Sequence, residues 1–122
     1  FCLSRGLGDV YKRQVTDSIN EHFRYVRFVL FRNQINGGLR EICEPTVRNK
    51  AGEWVEYRSV NYAAQINAKL DIVSTLGRHY GVRLPVIMDQ GESVSEPLAV
   101  EEQLIRLIVS PADTDIRVQV KA

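Results

Sequence analysis

Between positions 60 and 80 the apolar residues Ala63, Ile66, Leu70, Val73, Leu76 and Tyr80 recur at steps of three and four. That spacing lays one stripe along an α-helix and predicts a helix over 60–80. Ser59 stands at the N-cap position, Gly77 weakens the last turns, and Gly81 ends the helix. Upstream the period shortens. Phe23–Phe31, Leu39–Val47 and Trp54–Tyr57 read as strands, separated by turn-forming runs at Asn33–Gly38 and Asn49–Gly52. The second strand alternates Leu39, Glu41, Cys43 and Pro45 against Arg40, Ile42 and Glu44, and Pro45 predicts an edge or a strand end. Downstream, Leu84-Pro85-Val86-Ile87-Met88 is apolar without alternation and ends on Asp89. A strand covered on both faces has that pattern, so it predicts a buried central strand. Glu92–Glu102 reads as irregular or briefly helical, limited by Pro97. Gln103–Ser110 reads as a strand, Pro111–Asp115 as a turn, and Ile116–Val120 as an alternating edge strand. The order predicts an α/β fold: an antiparallel meander, then one long helix packed on a mixed sheet with a buried central strand.

Residues 1–14 show neither helical nor strand periodicity and resemble a translated library-adapter sequence, so they are set aside as a non-native segment. Of the 16 basic and 15 acidic residues, three basic (Arg5, Lys12, Arg13) and one acidic (Asp9) lie there, and the remainder is close to neutral. A global nucleic-acid footprint is excluded on that balance. Residues 15–22 read as a short helix capped by Asp17 or Ser18, or as the end of a longer helix or coiled-coil arm, and 23–122 as one lobe. No apolar run is long enough to span a bilayer as a helix. Two cysteines, Cys2 and Cys43, make no disulfide framework, and a reduced cytoplasmic setting is expected.

The chemistry concentrates after the Leu84–Asp89 strand. Ligands of open α/β sheets collect beyond the carboxyl ends of such strands, and a carboxylate there suits Mg²⁺ against a nucleotide phosphate. Glu92 follows three residues later. A surface Asp closing a strand and a solvated loop acid are the plainer readings of the same two residues.

Three runs then point to a family. They are Asn36–Glu44 (NGGLREICE), Gln65–Val73 (QINAKLDIV) and Tyr80–Asp89 (YGVRLPVIMD), with Asp89-Gln90-Gly91-Glu92-Ser93 after them. In that order they resemble the C-terminal ATPase-head lobe of SMC/SbcC-like (RecF/RecN-like) recombination and repair ATPases of phage or mobile-element type, across residues 18–120. The resemblance implies half of an ABC-type P-loop head binding ATP and Mg²⁺. Asp89 would be the metal-side carboxylate, and Glu92 or Gln90 would position the attacking water. Ser59, with Asn61 beside it, would offer a hydroxyl and helix N-terminal N–H groups to the γ-phosphate of a partner head. Ser110 stands near the place of a γ-phosphate-contacting His. Its implied partners are an N-terminal P-loop lobe of the same chain, a second head in a homodimer, DNA, and a nuclease subunit. The chain departs from the common pattern in carrying Gln90 directly after the Asp, where a catalytic Glu is usual. It also lacks a Gly-Gly after Ser59. No Gly-x-x-x-x-Gly-Lys-Ser/Thr occurs in the 122 residues, so a longer protein is expected, and this piece alone is expected to be inactive.

Other residues favour plainer roles. His22 and His79 lack a third metal ligand in sequence. Cys43 reads as a buried structural thiol, Asp113 and Asp115 as turn acids, and Arg24, Arg27, Arg32 and Arg40 as a solvated face rather than a DNA patch. Two other classes of function stay open on residues alone: a non-enzymatic α/β binding module, and a small Mg²⁺-dependent hydrolase or nuclease using Asp89, Glu92 and a distant acid.

Overall fold

The computed structural model describes residues 2–121, with side chains described from Gly8 onward. The fold is mixed α/β. Helix α1 (Cys2–Asn20) leads into strands β1 (Val26–Asn33), β2 (Leu39–Arg48) and β3 (Trp54–Glu56), then helix α2 (Tyr62–Tyr80) and strands β4 (Val86–Met88) and β5 (Leu104–Arg106). The expected meander is present as an antiparallel sheet in the order β1-β2-β3. The expected single mixed sheet is not: β4 and β5 form a separate parallel pair.

Helix α2 packs against both sheets. Ile66 and Leu70, flanked by Ala63, meet Met88 and Val94 with Val86 and Leu104 of the parallel pair. Ala68, with Ala64 and Ile72, meets Val26 and Val47 of the meander. The helix therefore buries two stripes, not the single one expected. The second rests on alanines, whose small side chains let strands approach. The continuation of the predicted stripe through Val73, Leu76 and Tyr80 is exposed. Its place in the interior is taken by Asp71, Ser74 and Thr75.

The start of α2 differs from expectation. Ser59 belongs to a 3-10 turn (Tyr57–Ser59), and its hydroxyl donates to the Glu56 carbonyl at 2.7 Å. The N-cap is Asn61, whose side-chain oxygen accepts from the Ala64 N–H at 2.9 Å. Asn61→Ala is expected to lower stability by about 1 kcal/mol, read from the urea midpoint, and Ser59→Ala by far less. At the other end Gly81 adopts φ 67°, the left-handed cap expected there, and its N–H reaches the Arg78 carbonyl.

Pro45 lies in the central strand β2, against the expected edge position, and the register explains how. Phe28 pairs with Pro45, but the Phe28 N–H and C=O both bond the Asn20 side chain, at 2.6 and 2.9 Å. Phe28–Pro45 is thus a non-hydrogen-bonded pair, and the position of the missing Pro45 N–H points toward β3. There β3 pairs only with Thr46–Arg48 and has already ended. Asn20 meanwhile caps the free edge of β1 in place of another strand.

Helix α1 runs unbroken through positions 2–20, although residues 1–14 show no apolar period. Its half-buried positions are Gly8, Lys12, Val15, Thr16 and Asn20, four of them spaced four apart and Val15 beside them the one large apolar side chain. The stripe is real but small and polar: Lys12 sits over the Phe31 ring, and Asn20 bonds β1.

Strand β4 is not a buried central strand. Its one neighbour among the described residues is β5, and Val86 and Met88 turn inward while Ile87 is 66% exposed. Residues 89–103 cross from β4 to β5 over α2, fixed by the Leu98 N–H donating to Asn67 at 2.8 Å. The tail Ile116–Val120 forms no strand, and Ile116, Val118 and Val120 lie exposed.

Candidate functional site

Strands β4 and β5 run parallel with Val86, Ile87 and Met88 opposite Leu104, Ile105 and Arg106. Asp89 is the first residue past the carboxyl end of β4 and is exposed. Its Oδ1 accepts the Gln90 N–H at 2.8 Å. Gln90 adopts φ 52°, ψ 45°, the one non-glycine residue with positive φ among those described. The chain then makes a 3-10 turn, Gly91–Ser93, closed by the Ser93 N–H on the Gln90 carbonyl at 3.0 Å. Asp89, Gln90 and Glu92 therefore share one tight, exposed turn.

That turn is folded back on β5. The Leu107 N–H donates to the Met88 carbonyl at 2.9 Å, and the Gly91 N–H to the Leu107 carbonyl at 2.7 Å. Gly91 is buried, and a Cβ there would stand 3.0 Å from the Leu107 carbonyl oxygen and 3.1 Å from Arg106 Cβ and Ile108 Cγ1. Gly91→Ala is expected to cost about 1–2 kcal/mol in thermal or urea unfolding, because a backbone oxygen cannot yield as a side chain can.

The remaining sequence candidates lie elsewhere. Ser59 and Asn61 sit at the entrance to α2, each engaged locally as described. The Ser110 hydroxyl donates to Asp113 Oδ2 at 2.6 Å, and Asp113 pairs with Arg117, so Ser110 belongs to a turn. His22 and His79 are both exposed. Cys43 is exposed too, correcting the expected buried thiol: β3 is too short to cover that part of β2. Arg27 pairs with Asp17, Arg32 with Glu44 and Glu56, and Arg27 and Arg48 flank the Trp54 ring.

The donor set limits what metal could bind. Among the described residues no three His, Cys, Asp or Glu side chains gather into a metal-holding group. Asp89 offers a carboxylate with one oxygen already accepting a backbone N–H. Mg²⁺ suits this, since it keeps several waters and takes one or two carboxylates together with substrate phosphates. A concavity of about 390 Å³ lies instead between α1 and β1, lined by Lys12, Thr16, Arg27 and Phe31 among others. The Asp89 turn lines neither that nor the smaller hollow of about 360 Å³ beside Gly77 and Glu102.

Sequence reasoning missed Asp71 and Arg106. Each had a signal: an acid between Leu70 and Ile72 inside a packed helix, and a cation inside Leu104-Ile105-Arg106-Leu107-Ile108. No helix among the described residues is long and apolar enough to cross a membrane. The chain matches no protein-family model, no curated protein and no solved structure.

Proposed function

We propose that this chain is the C-terminal lobe of an SMC/SbcC-like ATPase head acting in DNA recombination or repair, with Asp89 on the Mg²⁺ of bound ATP. The observation carrying this reading is an exposed carboxylate one residue past the end of a parallel strand pair. Dipoles and loops at that end of a sheet are where nucleotide phosphates are held. A lone carboxylate is matched to a metal whose other ligands are phosphate oxygens and water. The metal, when bound, supplies charge neutralisation on the β- and γ-phosphates.

In this reading Glu92 is the base for the attacking water and Gln90 orients it. At the α2 entrance Asn61, the true cap, replaces Ser59 as the residue next to the phosphate-facing N–H groups. Ser110 contacts phosphate only after leaving Asp113.

The turn stands on an open rim, with Leu84, Ile87 and Ile105 exposed on the parallel pair and the segment leading into it. That supports a composite site, completed by a P-loop lobe and by a second head. Closure of the heads would be coupled to DNA, with or without a nuclease subunit. Turnover then belongs to the assembled head and not to this lobe alone. The test is Mg²⁺-ATP turnover by the assembled head with and without Asp89→Ala and Glu92→Gln. Unchanged rates in both would remove the reading. Metal-dependent phosphodiester cleavage by this chain alone, without ATP, would favour a small nuclease, although the two-acid turn lacks the third carboxylate such a site needs.

A further inference from the structure

We propose that Arg106 is a positioning residue for the Asp89–Val94 turn, fixing the direction in which Asp89 and Glu92 present their carboxylates to a divalent cation. This rests on the metal-binding reading of Asp89. Arg106 ends β5 and lies in register with Met88, the residue before Asp89. Its Nη2 donates to the Gly91 carbonyl and, at 2.7 Å, to the Val94 carbonyl. Those carbonyls mark the first residue of the 3-10 turn and the residue that closes it. One guanidinium therefore spans the turn carrying Glu92 and anchors it to the strand beside Asp89.

Arg106 is half-buried and shares the face of β5 that carries Leu104 onto the core, whereas Ile105 and Leu107 are exposed. Taking a guanidinium partly out of water is costly unless its donors find acceptors. Arg106 spends two bonds, both from Nη2, on backbone carbonyls of this turn; its Nε is buried without a hydrogen-bond partner, and it joins no ion pair among the described residues. The main-chain bond from Gly91 to Leu107 adds a second tie, so the turn is held from both its backbone and its rim.

The test uses the 122-residue chain with Arg106→Met, which keeps the stem's bulk, and Arg106→Lys, which keeps the charge. Amide hydrogen exchange is followed by NMR, and Mn²⁺, standing for Mg²⁺, is titrated while line broadening at the amides of residues 89–93 is recorded. Exchange in α2 and the meander reports whether the fold survives. In Arg106→Met, exchange at Gly91 and Ser93 is expected to rise tenfold or more. The Mn²⁺ concentration for half-maximal broadening is expected to rise at least threefold, with Arg106→Lys between it and wild type. Exchange that rises while the Mn²⁺ titration is unmoved would make Arg106 a structural tie only and overturn the positioning role, leaving Asp89 as a metal ligand. Wild-type behaviour of both readouts in both variants would overturn it as well. Absence of broadening around Asp89 in the wild-type chain would overturn this inference, whereas the metal-binding reading falls separately, on unchanged Mg²⁺-ATP turnover of the assembled head carrying Asp89→Ala.

Discussion

Replacing Asp71 with alanine is expected to remove roughly 3 kcal/mol or more of folding stability, since three buried or half-buried N–H groups lose their acceptor together. Asp71 is wholly buried on α2. Its Oδ2 accepts from the N–H groups of Arg24, Tyr25 and Val26 at 3.0, 2.7 and 3.0 Å. Oδ1 takes a second, longer contact of 3.2 Å from the Arg24 N–H. Thr75, one turn on, donates to the His22 carbonyl at 3.4 Å. The link between α1 and β1 has no sheet partner here, and a helix carboxylate replaces one. Asp71→Asn isolates charge from shape. Its single carbonyl oxygen can occupy the Oδ2 position and keep the three N–H bonds, so the expected loss is smaller, about 1–2 kcal/mol. Urea unfolding of wild type and both variants provides the measurement. An alanine variant within about 0.5 kcal/mol of wild type would mean that water replaces the carboxylate at no cost.

Where apolar period and partner both exist, the sequence is readable. The meander is readable because short apolar runs are joined by strong turn residues, and its strands bring Val26, Val47 and Val55 into one cross-strand row. Helix α2 appears because Ile66 and Leu70 repeat at helical steps. The misses share a cause, which is that burial depends on what lies opposite. Ile116–Val120 alternates like an edge strand, yet nothing described lies beside it to pair with. Leu84–Met88 is apolar throughout, yet Ile87 has no covering layer here. Helix α1 hides its contacts in Lys12 and Asn20, whose roles come from a ring and a strand edge that hydropathy does not register. For the candidate site, Asp89, Gln90 and Glu92 were visible as residues after a strand. What locks their turn was not, because it lies in main-chain carbonyls meeting Arg106 across residues 91–106.

If the chain is the ATPase-head lobe proposed above, Asp89→Ala in the assembled head is expected to lower kcat/KM for Mg²⁺-ATP roughly a hundredfold or more, the scale for removing one group that stabilises charge in the transition state. Asp89→Asn should resemble it, since the neutral amide keeps the shape and loses the attraction for the metal. Raising Mg²⁺ should restore part of the loss in both variants, because the defect is one of metal affinity. Glu92→Gln should behave differently. A missing base lowers kcat by about 10²–10⁴ and leaves KM and the Mg²⁺ dependence near wild type. Gln90 needs a particular control. Its φ of 52° is a conformation that β-carbons resist, so alanine there would mix side-chain loss with retained strain. Gln90→Gly removes the amide while making the backbone conformation easier to adopt. A larger fall in kcat for Gln90→Gly than for Glu92→Gln would assign the attacking water to the residue directly after the metal-side carboxylate. A fall confined to Glu92→Gln would assign it to the 3-10 turn. Stopped-flow phosphate release separates the two outcomes from slow product loss, which would flatten all three variants alike.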